Sequence, residues 1–295
     1  MSRITLIGPV SEDIIIKDNS KHKSIGGPVF YQSCLLSKIK VNTNALVTIS
    51  KKDEKLLNTF PKNVKLLPFY VNKTIKFENL YPDNNPCHRL QKAEITHNPI
   101  KINLVKDEIK FSDAFLLGPL SPYDIPLETL EDLSSLKKPI YLGAQGYLRY
   151  LNKAKIILKP WEGFQEFMKF IDILFLDENE SSIILGKRYS LQDTARIIAS
   201  FGPQEVIITR GSSGSLIYSK KLDKIYKIPA FKPQKVEDPT GLGDTYMAAY
   251  AALRLEGENP RKCGIFAAAA ASLKLENRGA FKGNRDLIEK KINYS

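Results

Sequence analysis

Cysteine and histidine are scarce in this sequence. Its 295 residues include three cysteines, Cys34, Cys87 and Cys263, and three histidines. An odd number of cysteines without metal-like spacing argues against a disulfide framework or a structural zinc site, and it favours reduced thiols in a cytosol. The composition therefore predicts a cytoplasmic protein whose chemistry depends on other side chains.

Long hydrophobic runs are also absent. The longest run of small and apolar residues, IFAAAAASL from Ile265, has nine residues, whereas a membrane-spanning helix needs about 20. The opening residues, SRITLIGPV, are typical of an apolar strand, and we expect no signal peptide. We therefore predict no membrane partner.

The net charge of +12 is not concentrated anywhere along the chain. Lysines occur in ones and twos, and no block of five like charges is found. No basic helix or ladder of alternating aromatic and basic residues is visible, so we predict no nucleic-acid partner. A diffuse positive field is expected to attract small anions such as nucleotides.

Apolar strands alternate with helix-like segments over most of the chain. Runs such as RITLIG, NALVTIS, AFLLG and IDILFLD predict a mainly parallel sheet that is covered on both faces. Residues 64–93 differ, because short strands there are joined by Asn, Pro and Asp turns. We interpret this stretch, together with about residues 12–25, as a small β lid on a single domain that spans residues 1–295.

The most specific motif is DPTGLGD, Asp238 to Asp244, directly before an apolar, alanine-rich segment. Gly241 and Gly243 can adopt backbone angles forbidden to other residues, and they let a ligand approach the main chain. Four amides are expected to be free where the helix starts: those of Gly241, Leu242, Gly243 and Asp244. Free amides and the positive end of the helix dipole predict an anion site that suits phosphate.

Two carboxylates flank this predicted anion site. Asp244 could accept a proton from a hydroxyl group as that oxygen attacks phosphorus. Asp238 could hold the loop or face a metal-bound water. An ordinary helix cap after a glycine turn is the alternative interpretation, but the full D-x-T-G-x-G-D spacing favours a functional site.

DPTGLGD resembles the C-terminal signature of the PfkB (ribokinase-like) carbohydrate kinases, and other segments resemble that family in the same order along nearly the whole chain. The resemblance implies an α/β fold, namely a ribokinase-like three-layer αβα sandwich with a mainly parallel central sheet and a small β lid. It also implies transfer of the γ-phosphoryl group of ATP to a hydroxyl group with the help of Mg²⁺. Asp244 would be the base, and the amides of residues 241–244 would form the anion hole.

Early segments resemble the substrate-binding parts of the family. GPVSED resembles the family's G-x-x-x-x-D, which implies that Asp13 binds substrate hydroxyls. SIGGPVFY resembles the N-terminal glycine pair, so that Gly26 and Gly27 would approach the sugar. Tyr31 stands where the family often has Asn, and we predict that it too contacts the substrate.

AQGYLR resembles a DxQGFxR-like segment found in a branch of the family that includes myo-inositol kinases. The resemblance implies that Gln145 and Arg149 orient a polyol or position the phosphate. Gly143 stands where that branch usually has an acidic residue, and a plain strand and turn is the alternative interpretation. GGPVFY and KFENLYPDNNPCHRLQKA are similar to the same branch, and Arg89 in the second segment is a candidate contact to substrate or phosphate.

DILFLDENES resembles the family's N-x-x-E segment, which organises water bound to magnesium. The resemblance implies that Glu180 contributes to a Mg²⁺ site. Asp177 stands where the family has Asn and keeps an oxygen for the hydrated ion. Both residues would bind the metal through water, while a charged turn between strand and helix is the alternative interpretation.

Two further segments resemble the nucleotide-binding part of the family. IITRGSSGSLIY resembles T-x-G-x-x-G, which implies that Thr209, Gly211 and Gly214 contact ATP, although an ordinary hairpin turn uses the same residue types. IFAAAAASLKLENRGA resembles the helix and loop beside the adenine pocket and implies a contact from Asn277. Asp238 is predicted to lie on this nucleotide side as well.

The sequence therefore predicts a kinase that uses ATP and Mg²⁺ to phosphorylate a small polyol or sugar, either inositol-like or a monosaccharide. A nucleoside kinase of the same family is the first alternative, and stacking of a base on Phe30 and Tyr31 would favour it. A non-catalytic ligand-binding protein on the same fold is the second alternative, and the intact Asp244 argues against it. A homodimer formed through the lid is a further prediction.

Overall fold

Two sheets and their covering helices make up the computed structural model, which describes residues 2–17, 20–80, 90–186 and 188–294. Within those residues the strands are β1 (Arg3–Pro9), β2 (Ser11–Lys17), β3 (Ser20–Gly26), β4 (Asn42–Ser50), β5 (Val64–Val71), β6 (Ile75–Leu80), β7 (Leu90–Glu94), β8 (Ala114–Leu117), β9 (Ile140–Gly143), β10 (Arg149–Asn152), β11 (Lys155–Leu158), β12 (Ile173–Asp177), β13 (Glu205–Thr209), β14 (Ser215–Ser219) and β15 (Lys224–Ile228).

The same residues form α-helices and several 3-10 helices. The α-helices are α1 (Pro28–Lys38), α2 (Lys106–Ile109), α3 (Leu127–Ser134), α4 (Phe164–Met168), α5 (Glu178–Leu185), α6 (Leu191–Ser200), α7 (Leu242–Leu255), α8 (Pro260–Leu275) and α9 (Arg285–Asn293). The 3-10 helices are Lys51–Thr59, Ile102–Leu104, Ala144–Leu148 and Gly211–Ser213. In the described part of the chain, no helix combines the length and apolarity required to cross a bilayer.

The large sheet has nine strands in the order β15-β14-β13-β12-β9-β8-β1-β4-β5. The strands from β13 to β5 run parallel, and β14 and β15 add an antiparallel edge. Successive side chains of β4 enter opposite cores: Ala45 and Val47 pack with α1, α7 and α8, whereas Leu46 packs with α3, α4 and α6. Burial on both faces explains the continuous apolar runs, and the predicted three-layer sandwich is present.

The small sheet has six strands in the order β10-β11-β7-β6-β2-β3. It differs from the predicted lid in two respects. Residues 64–71 form β5, which pairs with β4 at the edge of the large sheet, and residues 149–158 supply two additional strands. Pro68 fits this position, because an edge strand tolerates a residue without an amide hydrogen. Residues 81–89, with Cys87 and Arg89, lie outside the described residues.

Close packing of two alanine-rich helices positions the DPTGLGD turn. α7 and α8 share one buried cluster that contains Ala248, Ala252, Ala267 and Ala270. Small side chains let the two helix backbones approach each other, as expected for an alanine-rich pair. α7 also contacts α1, β8 and β9, so its N-terminus is held at the carboxyl ends of the parallel strands.

Candidate active site

A cleft of about 510 Å³ lies between the small sheet and the carboxyl ends of strands β9, β12 and β13. In open parallel sheets, ligands bind outside the carboxyl ends of the strands. Twelve predicted site residues line this cleft: Asp13, Gly27, Tyr31, Gln145, Arg149, Asp177, Glu180, Thr209, Gly241, Leu242, Gly243 and Asp244. Segments distant in the chain therefore meet at one place.

The other five predicted site residues do not line the cleft: Gly26, Gly211, Gly214, Asp238 and Asn277. Gly26 lies under Asp13, because a Cβ there would come 2.5 Å from the Asp13 Oδ2 atom. Gly214 is required for packing, since its Cβ would come 2.0 Å from the Ile228 carbonyl oxygen. Asn277 donates a hydrogen bond from Nδ2 to the Leu273 carbonyl at 3.1 Å. The nucleotide contacts of Gly211, Gly214 and Asn277 stay predictions.

The two glycines of the DPTGLGD turn are needed for different reasons. Gly241 precedes α7 with a φ of 76°, and a Cβ on it would come 2.4 Å from the ring of Tyr31. Only glycine fits this left-handed position against an aromatic ring. Gly243 has no positive φ, contrary to expectation, and a Cβ on it would meet nothing within 4 Å. Its missing side chain leaves the main chain open to the cleft.

Three of the four expected amides are available at the start of α7. The Leu242 amide donates to the Pro239 carbonyl oxygen at 3.3 Å, and Thr245 donates to the Gly241 carbonyl oxygen at 3.0 Å. In the described part of the chain, the amides of residues 241, 243 and 244 have no acceptor. These amides and the positive end of the α7 dipole have the arrangement that the predicted anion site requires.

Asp238 holds the turn rather than facing the cleft. Its Oδ1 atom accepts a hydrogen bond from the Thr240 amide at 2.9 Å, and its Oδ2 atom accepts one from the Gly279 amide at 3.0 Å. Lys274 Nζ donates to the Asp238 carbonyl oxygen at 2.6 Å and lies 3.5 Å from Oδ2. Sequence reasoning missed Lys274, although a lone lysine inside an apolar helix was a visible signal.

The electrostatic surroundings of Asp244 suit a general base. Burial raises the pKa of this carboxyl to about 6, while the charges of Arg149 and Lys274 act in the opposite direction. Because the raised pKa is still below 7, Asp244 is mostly ionised at neutral pH. Its carboxylate can accept a proton more readily than one with the ordinary value of 3.8.

Asp177 and Glu180 first of all form the N-terminal cap of α5. The Asp177 amide donates to Glu180 Oε2 at 2.9 Å, and the Glu180 amide donates to Asp177 Oδ1 at 2.7 Å. This reciprocal arrangement is the capping box, so the structural interpretation of this segment is correct. One oxygen of each carboxylate is not used in the box, and both residues line the cleft.

The unused oxygens of Asp177 and Glu180 fit a hydrated Mg²⁺ ion. Burial and the Asp177 charge raise the pKa of Glu180 to about 7, opposed by its bond to the Asp177 amide and by Arg149 and Gln145. Among the described residues, no group of three or more His, Cys, Asp or Glu side chains could hold a metal. Mg²⁺ commonly keeps several waters and binds one or two carboxylates together with substrate phosphates, which suits this pair.

The small sheet contributes the predicted Asp13 and two side chains that sequence reasoning missed, Phe77 and Gln91. Asp13, Phe77 and Gln91 line the cleft, and Gln91 Nε2 donates to Asn79 Oδ1 at 2.7 Å. The register pairs Asp13 with Phe77 and Asn79 with Gln91, so alternation places all four side chains on one face. The Arg149 guanidinium lies 5.9 Å from the centre of the Phe77 ring. The alternating pattern of KFENL was the available signal.

Comparisons with known proteins identify similar sequences and folds. The sequence profile of the pfkB family carbohydrate kinases matches residues 142–286. A nucleoside kinase from Methanocaldococcus jannaschii is 46% identical over 74 residues, which cover 25% of this chain and 24% of that protein. A cytidine kinase from Thermococcus kodakarensis is 24% identical over 279 residues, which cover 89% of this chain and 92% of that protein. The chain thus spans about a quarter of the first relative and most of the second.

A solved structure extends the similarity to the whole fold. It is a pyrophosphate-dependent kinase in the ribokinase family, complexed with a pyrophosphate analogue and myo-inositol. The TM-score is 0.83 at 24% sequence identity, and the match covers 97% of this chain and 99% of that one. The predicted ribokinase-like fold is confirmed.

Proposed function

Because this chain carries a PfkB family carbohydrate kinase domain, we propose that it transfers a phosphoryl group from ATP to a hydroxyl group of a small cyclic polyol or sugar. One observation carries the proposal. One cleft is lined by Asp244, by the open amides at the start of α7 and by Asp13, the candidate ligand of substrate hydroxyls. A base, an anion site and a hydroxyl ligand are the parts that phosphoryl transfer to an alcohol requires.

The reaction follows from these positions. Asp13 accepts a hydrogen bond from the acceptor and orients it, and Ser11 Oγ donates to Asp13 Oδ1 at 2.6 Å to fix that carboxylate. Asp244 takes the proton of the attacking hydroxyl group while the oxygen of that hydroxyl forms a bond to phosphorus. The bond from phosphorus to the donor's bridging oxygen breaks, and the donor leaves with that electron pair. The amides at the start of α7 stabilise the negative charge of the transferred group.

The carboxylates of Asp177 and Glu180 would hold Mg²⁺ through water, and the ion would neutralise charge on the donor phosphates. Arg149 lies within electrostatic reach of both Asp244 and Glu180. This position supports a contact with the transferred phosphate more than a contact with the far side of the acceptor.

The polar lining supports a polyol or sugar as acceptor. Gln91 and Gln145 offer amide donors and acceptors that a hydroxyl-rich ring can satisfy, and Asp13 offers acceptors. The pyrophosphate-dependent kinase of the same fold was solved with myo-inositol.

A nucleoside acceptor is the second candidate, because the relatives described above are nucleoside and cytidine kinases. Stacking on Tyr31 and Phe30 would have favoured it. The Tyr31 ring instead packs against Gly241, and Phe30 packs edge-on to Tyr31 and Phe60 with ring centres 5.4 Å apart. Gly241 therefore covers the Tyr31 ring on one side, and Phe30 does not line the cleft.

A product-release screen tests the proposal. Purified protein is given ATP or pyrophosphate with Mg²⁺ and matched concentrations of myo-inositol, fructose, ribose, adenosine and cytidine. ADP or phosphate release is followed, with the Asp244→Asn protein as background. We expect turnover of myo-inositol or a sugar above that of either nucleoside. A clear nucleoside preference would promote the second candidate, and tight acceptor binding without turnover would favour a non-catalytic binding protein.

Assembly and location stay predictions. The small sheet ends in β3 and β10, each without a further partner strand among the described residues, and we propose a homodimer through this sheet. Light scattering on the purified protein measures the mass. A cytoplasmic location is the expectation from cysteine use.

A further inference from the structure

A fully buried lysine lies directly behind the anion site. The Lys274 side chain is 0% exposed, and its Nζ atom donates to the Asp238 carbonyl oxygen at 2.6 Å. A buried ammonium ion is unfavourable unless it is paired and hydrogen-bonded. A methionine of similar length would fill the same space in this alanine-rich helix without that cost. The positive charge itself therefore calls for an explanation.

The end of α8 holds the DPTGLGD turn through several contacts. The amides of Glu237 and Asp238 both donate to the Leu275 carbonyl oxygen, at 2.9 and 3.4 Å, and Gly279 donates to Asp238 Oδ2. Lys274 is the positively charged member of this set. Its partner Asp238 begins the turn that ends at Asp244, so a shift of Lys274 would be transmitted to the base.

Lys274 also contributes to the charge balance around Asp244. The charged groups that face this region come from several elements: Arg149 on β10, Lys274 on α8, Asp13 on β2, Glu180 on α5 and Asp238 in the turn. Carboxylates outnumber cations in this set. Removing one of the two cations would make the region less favourable for a phosphoryl group.

We propose that Lys274 is a positioning residue for phosphoryl transfer, which fixes the DPTGLGD turn through the Asp238 carbonyl and supplies positive charge behind the anion site. The kinetic part of this inference rests on the proposed kinase function. Binding of inorganic pyrophosphate, which requires no acceptor and no turnover, tests it separately. Lys274 does not line the cleft, so a direct contact with substrate is not part of the proposal.

The test compares Lys274→Met with Lys291→Met. Lys291 on α9 pairs with Glu276 at 2.8 Å near the same end of α8 and does not line the cleft. Both variants lose one positive charge and gain the same side chain, so their net charges match. Circular dichroism and thermal melting verify that each is folded, and calorimetry measures pyrophosphate affinity.

We expect Lys274→Met to weaken pyrophosphate binding about fivefold or more, because one nearby positive charge is lost. Its turnover should fall about tenfold at pH 6.5 and less at pH 8.5, because losing the cation raises the pKa of Asp244 and moves the acid limb upward. Lys291→Met should match the wild type in both measurements. Lys274→Arg, which keeps the charge and a donor, should recover part of the activity.

Equal pyrophosphate affinity and equal pH profiles for the two methionine variants would overturn the inference, and Lys274 would then serve packing alone. If Lys274→Met does not fold, Lys274→Gln removes the charge but keeps an amide donor and carries the same comparison. A wild-type protein that binds no pyrophosphate would overturn the anion site and this inference together. A wild-type protein that binds pyrophosphate but phosphorylates none of the acceptors contradicts the proposed function alone.

Discussion

The two sides of the cleft are held in different ways. On the large-sheet side, the DPTGLGD turn is fixed by buried helices, a left-handed glycine against a ring, and a lysine that is fully buried. On the other side, the small sheet has one small apolar cluster, formed around Ile75, Phe77, Ala93 and Leu120. Its outer face carries surface ion pairs such as Lys92–Glu78 at 3.6 Å. Such exposed pairs contribute little stability.

This difference separates chemistry from selectivity. A reacting group must be held within a fraction of an ångström, so the rigid large-sheet side suits the proposed base and anion site. Residues that distinguish acceptors can change at low cost where few neighbours depend on them. The small sheet is therefore where acceptor preference can diverge while the reaction stays the same.

The largest effect is expected for the base itself. Asp244→Asn should lower turnover by at least about a hundredfold, as expected for loss of a positioned base, and should largely preserve ATP affinity. Folding should not suffer, because a buried amide costs less than a buried carboxylate whose pKa is raised. Steady-state kinetics and ATP calorimetry on one preparation measure both effects. Near-normal turnover in the folded variant would rule out Asp244 as the base.

Gly243 separates stability from activity on the rigid side. Gly243→Ala should keep or slightly raise the melting temperature, because alanine is favoured over glycine in a helix. Its activity should fall about tenfold, and that of Gly243→Val further, because the new side chain occupies the open face of the anion site. Thermal melting and kinetics decide the matter. Full activity and nucleotide affinity in the valine variant would show that the turn is merely structural.

Gln91 tests the small-sheet side of the cleft, which we call the adaptable side. Gln91→Leu should lower kcat/KM for the preferred acceptor about tenfold by removing a polar contact and leaving Asn79 without its partner. The KM for the phosphate donor should not change. Lys92→Leu is the matched control, because the next residue of β7 points to the outer face. If both variants lose activity equally, the effect comes from strand stability and not from the acceptor.

The smallest effect concerns the metal and pH. Glu180→Gln should raise the Mg²⁺ concentration needed for half activity several-fold, with the exposed Glu178→Gln as control. The folded pKa of Glu180, about 7, lies above its ordinary value of 4.5. The contribution of Glu180 to the free energy of unfolding is therefore fully present below pH 4.5. It is lost as the pH rises through 7, because the buried carboxyl must then ionise. Without metal at pH 8, Glu180→Gln should melt about 2–5 °C higher. Identical metal titrations would remove Glu180 from the magnesium site.

Local spacing made the rigid side predictable. DPTGLGD places a turn, a helix start and Asp244 within seven residues. Asp177 and Glu180 are three residues apart, so the first turn of α5 is enough to bring them together. The PfkB resemblance and the fold were confirmed on such segments. Lys274 was missed because its partner Asp238 is 36 residues away, and no local pattern shows which carbonyl a buried lysine meets.

The adaptable side depends on strand register, which local patterns specify poorly. Gln91 contacts Asn79 only because β6 and β7 pair in one register. β5 was predicted as a strand, but it was grouped with the lid because short turns join it to the lid strands. Its pairing with β4 is a long-range contact that composition does not reveal.

Two of the short crossings between the two sheets lie beside the cleft. Val10 alone separates β1 from β2, and residues 144–148 separate β9 from β10. The second crossing is anchored by Tyr147, whose ring stacks on Trp161 with centres 3.9 Å apart. Asp13 and Arg149 lie just beyond these crossings, close to the connection between the two sheets. A rotation of the small sheet would therefore move both only slightly relative to Asp244, whereas Gln91, farther out, would travel more.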